Sequence, residues 1–144
     1  MYYKVVTKID GKYYSVSNLY NSRLEHTLEY AINTITRPKI KNSKLFVFND
    51  KASALKLFMD TGWAVEKCVF TCEITNPQPC PIISLSDLEE IQKFWEIFDE
   101  INNMLMQNKT IYDVYNKYSS IVQLYMAPNN TVVCDTVKLI REIY

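Results

Sequence analysis

Residues 3–9, Tyr-Lys-Val-Val-Thr-Lys-Ile, alternate so that Tyr3, Val5 and Ile9 share one face and Lys4 and Lys8 the other. A period of two marks a strand with one face toward a core. Asp10-Gly11 follows, and Lys12-Tyr-Tyr-Ser-Val-Ser17 resumes the pattern. Both central residues of a type I′ turn take positive φ, which Asp-Gly supplies, so these runs predict a hairpin. Residues 18–43 are polar and broken by Pro38, with one short strand expected at 28–32. Lys44-Leu-Phe-Val-Phe48 is apolar on both faces, the signature of a central strand. Asn49 or Asp50 then caps a helix with a core stripe at Ala52, Leu55 and Met59. After Gly62 a strand returns over 66–74, with Cys68, Phe70 and Cys72 on one face.

Asn76-Pro-Gln-Pro-Cys-Pro81 places three prolines in five residues, which removes donors and restricts neighbours, so irregular structure and a possible internal boundary are expected at 76–81. Ser86-Asp-Leu-Glu89 reads as a capping box opening a helix of about 20 residues with a stripe of Leu88, Ile91, Trp95, Phe98 and Leu105. Thr110-Ile-Tyr-Asp113 opens a shorter helix carrying Tyr115 and Tyr118. Residues 121–126 and 131–143 flank Pro128-Asn129-Asn130 and predict a terminal hairpin, with a helix the alternative for the last segment. Strand and helix patterns segregate along the chain, so the expectation is one α+β domain over 1–144. It comprises an antiparallel or mixed sheet of five to seven strands and a helical insertion at about 86–118.

Composition narrows function. The chain has 144 residues, 48% of them hydrophobic, which is enough for a packed core. Sixteen basic residues balance sixteen acidic ones, which argues against a generally cationic nucleic-acid binder. Two glycines, Gly11 and Gly62, cannot build a P-loop or a dinucleotide fingerprint, and no cofactor is expected. The one histidine, His26, and four cysteines without a C-x-x-C pair give no metal motif, and Cys68, Cys72, Cys80 and Cys134 read as reduced, buried thiols. No apolar leader follows Met1 and no run approaches a membrane span, so a cytoplasmic protein without membrane contact is expected. Ile, Lys, Asn and Tyr supply 50 residues, a usage that fits an A+T-rich genome.

Charge is bipolar: residues 1–72 hold 11 basic and 6 acidic side chains, residues 73–144 hold 5 and 10. The basic excess thickens at Arg37, Lys39, Lys41 and Lys44. This loop is the candidate phosphate or anion site, with Arg37 as bidentate partner and the lysines as a screened field. Tyr13 or Tyr14 would supply a stacking face, hairpin register deciding which points outward. No catalytic residues are assigned, because no carboxylate pair or nucleophile context stands out.

Tyr3-Lys-Val-Val, Gly11-Lys-Tyr-Tyr-Ser15, Lys44-Leu-Phe-Val-Phe48 with Ala52 and Ala54, Val69-Phe-Thr-Cys-Glu73 and Thr131–Glu142 together resemble small uncharacterised proteins of phages and large DNA viruses. The middle block is also similar in topology to part of the ADP-ribosyltransferase fold, whose His-Tyr-Glu or Arg-Ser-Glu motif has no counterpart at Tyr3 and Lys4. The resulting expectation is a non-catalytic intracellular binding protein, an accessory factor of a virus or mobile element, that binds a nucleotide-like anion or a host protein. The resemblance implies one alternative, a small ADP-ribosyl-transferring or nucleotide-processing enzyme using Glu66, Glu73 or Glu142. The other is a structural or virion protein that forms a homo-oligomer through helix 87–107, because Phe94, Trp95 and Phe98 exceed one narrow stripe.

Overall fold

A computed structural model describes residues 1–15, 28–60, 66–84 and 88–144. The chain runs through β1 (Tyr2–Ile9), β2 (Lys12–Ser15), β3 (Glu29–Tyr30), β4 (Ile35–Thr36), β5 (Leu45–Phe48), α1 (Lys51–Asp60) and β6 (Glu66–Thr75). It continues through β7 (Gln78–Pro79), β8 (Ile82–Ile83), α2 (Leu88–Met106), α3 (Ile111–Tyr118), β9 (Tyr125–Met126), β10 (Thr131–Cys134) and β11 (Thr136–Glu142). The architecture is α+β.

Local chemistry sets the expected elements. Asp10 and Gly11 take φ of 50° and 78°, and β1 and β2 pair from Val6↔Ser15 to Ile9↔Lys12. Asp50 accepts the Ser53 amide at 2.9 Å and so caps α1. Thr110 and Asp113 close a full capping box on α3. The other box lies partly outside the described residues, at Ser86.

Among the described residues nine strands form one sheet ordered β4-β11-β6-β1-β5-β10-β7, from which β2 and β3 branch beside β1. The surplus over seven comes from β4 and β7, each two residues long and too short to leave a periodic trace, while β3 lies within the strand expected at 28–32. β7 occupies the prolyl segment expected to be irregular; it is an edge strand, where a missing donor at Pro79 costs nothing. The last segment is strand, not helix. β10 pairs with β5 and β7, β11 with β6 and β4, and β9 with β8, so the expected terminal hairpin does not form.

The sheet forks at β1. One edge pairs with β6 along Tyr2–Lys8, while the other meets β5 only at Tyr3↔Phe48 before β2 takes over from Val6. Cys68, Phe70, Cys72, Val137, Leu139, Leu45, Val47 and Cys134 face a shared interior. Residues 28–36 pass across this face: β3 pairs with β2, the Asn33 amide donates to Leu139 O at 2.8 Å, and β4 pairs with β11. Tyr30 is carried into the core by that strap.

The opposite face holds the helices. α1 packs on Val5, Phe48 and Val69 through Ala54, Leu55, Leu57 and Phe58. Ala52 and Met59, expected in the stripe, are exposed. α2 seats Phe94, Trp95 and Phe98 against α3, β8 and β10, and Trp95 lies 5.7 Å from Phe46 of β5. Each such ring contributes on the order of 2 kcal/mol by burial alone. The three aromatic residues that suggested a homo-oligomer through 87–107 are therefore spent inside the chain.

Candidate binding face

Three of the four basic residues of the predicted anion site share one exposed loop, and the fourth is engaged elsewhere. Arg37, Lys39 and Lys41 are exposed on the loop 37–44 that leads from β4 to β5. Lys44 instead donates to Asp135 at 2.7 Å, and Asn76 donates to the same carboxylate at 2.7 Å. These two hydrogen bonds, Lys44 first, hold the Asp135 carboxyl below the usual aspartate value. Tyr13 turns inward and meets Phe70 edge-on at 5.0 Å, leaving Tyr14 on the other face of β2. His26 lies outside the described residues. Glu66, Glu73 and Glu142 are exposed; the first two stand at opposite ends of β6, paired with Lys8 and Lys138.

Lys4, expected to face outward, is buried. Its side chain enters the interior, donates to Phe46 O where β5 leaves β1, and lies 5.2 Å from the centroid of the Tyr30 ring. Burial lowers its amine to about 8, partly offset by the Cys134 and Cys72 thiols beside it. Burial also pushes Cys72 and Cys80 up to about 12 and Cys134 up to about 11, and pushes the Tyr30 phenol well up. Cys68 rises to about 12, by burial first and then by the Glu142 carboxylate that accepts a hydrogen bond from the thiol. These thiols are packing groups, as read from sequence. No group of three His, Cys, Asp or Glu arranged for a metal occurs among the described residues.

Exposed apolar side chains concentrate elsewhere. Six of the eleven large exposed ones among the described residues fall within 106–126: Met106, Tyr112, Tyr115, Ile121, Tyr125 and Met126. The cause is visible on α3. Val114 and Tyr118 turn inward four residues apart, and the Tyr118 hydroxyl donates to Glu100 at 2.6 Å. That leaves Tyr112, 71% exposed, and Tyr115 on the outer side, three residues apart and therefore neighbours.

Two grooves border this region. One of about 400 Å³ lies at the end of α3, walled by Glu90, Tyr115, Ser119, Ile121 and Leu124 among others. Another, of about 470 Å³, separates α1 at Ser53, Lys56 and Asp60 from the turn at Met126–Asn129. The sequence pattern places Tyr115 on a helix but does not distinguish its face from that of Tyr118.

The fold that carries this face is α+β. Against known proteins, the chain matches no family model, no curated protein and no solved structure. No described helix is long and apolar enough to cross a membrane.

Proposed function

We propose that this chain is a non-catalytic binding module that engages another polypeptide through the outer side of α3 and the segment after it. One observation carries the reading: the run of exposed Tyr112, Tyr115 and Ile121 beside a groove, on a layer whose inner residues are already well packed. Tyrosine and methionine are enriched where proteins meet, and clustered apolar surface is a mark of such sites. An intracellular accessory role in a virus or mobile element is the setting the sequence resemblance suggests.

Selection of a random displayed peptide library against the protein tests it. Peptides should be enriched by the native chain and lost by the Tyr112→Ala/Ile121→Ser variant. Equal enrichment by both would remove the reading. The anion reading is favoured by Arg37, Lys39 and Lys41 standing exposed on one loop. A nucleotide panel read by thermal shift tests it, since a ligand at 100 times its Kd stabilises by about 2.7 kcal/mol.

A further inference from the structure

The groove at the end of α3 has a sign. Glu90 of α2 stands in its wall, oriented by the Gln123 amide that donates to Oε2 at 2.8 Å. Ser119 and Ser120 bring in the C-terminal end of α3, where the helix dipole is negative. Tyr115, half-exposed, adds the electron-rich face of a ring. None of the described wall residues is a Lys or Arg; Lys117, in the last turn of α3, lies over the Tyr118 ring at 5.3 Å. The layer as a whole agrees, since residues 88–126 carry Glu89, Glu90, Glu96, Asp99, Glu100 and Asp113 against Lys93, Lys109 and Lys117.

A carboxylate, a helix C-terminus and an aromatic face around a groove of about 400 Å³ suit a planar cation with an aliphatic stem. We propose that this groove receives an arginine side chain of the partner polypeptide, with Glu90 as counter-ion and Tyr115 stacked on the guanidinium. Ile121 and Leu124 cover the stem, and Tyr112 meets apolar residues that flank the arginine. Guanidinium suits the position better than ammonium because it is weakly hydrated and stacks on rings. The inference rests on the polypeptide-binding reading and specifies what that partner must carry.

The test continues from the displayed library. Selected sequences should share an arginine beside aromatic or aliphatic residues. A selected peptide is then synthesised with arginine and with citrulline, which keeps the shape and removes the charge. Citrulline should weaken binding by about tenfold or more, the effect of losing a charge-assisted hydrogen bond. Glu90→Gln, which still accepts the Gln123 amide, should lose as much for the arginine peptide and almost nothing further for the citrulline peptide. Tyr115→Leu should weaken the arginine peptide more than the citrulline one. Peptides that bind the native chain, are lost by Tyr112→Ala/Ile121→Ser, and tolerate citrulline or Glu90→Gln would overturn the arginine site and leave the polypeptide reading standing. No enrichment that depends on Tyr112 and Ile121 would overturn both. A dimer in sedimentation that Tyr112→Asp dissolves would assign the face to a second copy and overturn the arginine site.

Discussion

The Lys4 amine lies 5.2 Å from the centre of the Tyr30 ring, joining the first strand to the strap that crosses the sheet's interior. Among the described residues neither group has a charged partner: Lys4 donates to the Phe46 carbonyl, and the buried Tyr30 hydroxyl has no hydrogen-bond partner. An unpaired cation at 7% exposure is costly, so this pair opposes stability as much as it orders the fork.

Lys4→Met should therefore stabilise the protein near neutral pH. The folded amine titrates near 8 against 10.5 for an ordinary lysine. Between those values the unfolded chain binds a proton that the folded chain does not, so stability rises with pH across that window. Removing the lysine recovers on the order of 3 kcal/mol at pH 7 and gives up about 1–2 kcal/mol for the lost bond to Phe46. A net gain of about 1–2 kcal/mol is expected, shrinking above pH 8 and reversed by pH 10.5. Denaturant titrations of both proteins across that range measure it; a gain that does not change with pH would refute the buried-cation account.

The four buried thiols predict opposite behaviour in alkali. Ordinary thiols titrate near 9, whereas Cys68, Cys72 and Cys80 are pushed up to about 12 and Cys134 to about 11. Above pH 9 the unfolded chain sheds protons that the folded chain keeps, so the thiols draw stability down as pH rises. They should also react with a disulfide reagent at pH 8 only as fast as the chain opens, since the thiolate is the nucleophile. Rapid labelling of any of the four in the native protein would contradict the packing.

Thr110→Ala should cost about 1 kcal/mol by leaving the first turn of α3 uncapped, within the usual range for such a change. The loss should appear as faster amide exchange over 111–118. Asp113, the reciprocal partner, is held below the ordinary aspartate value by the Thr110 backbone and side chain. Its contribution is therefore present above pH 4 and fades as the solution is acidified further.

Phe94→Ala removes a fully buried ring at the centre of the α2 cluster and should cost about 3–5 kcal/mol. Tyr112→Ala, on the outer side of α3, should change stability by less than about 0.5 kcal/mol. Thermal or urea unfolding of the two variants separates the core of the helical layer from its binding side.

Much of this fold is written locally. Asp10-Gly11 and Thr110–Asp113 act within a few residues, and the structure forms the turn and the capped helix expected of them. The separation of strand from helix also reads directly, because each element carries its own period. Lys4 does not, since alternation assigns faces but not which face is buried; here both are, by α1 on one side and the strap on the other. The partner of β9 depends on where the Pro77–Pro81 segment is laid down, a matter of long-range packing. Lys44 shows the limit for sites: a basic residue in a basic loop looks available until Asp135, 91 residues later, arrives to hold it.

The fork at β1 bears on how the chain is made. β10 lies between β5 and β7, and β11 lies between β6 and β4. Until residues 131–142 leave the ribosome, β5 and β6 each expose an unpaired edge that their sequence neighbours do not cover. Non-local pairing of this kind is slow and leaves nascent strands open to wrong partners. Any strand that reaches those edges before residues 131–142 do competes with β10 and β11 for the same backbone partners.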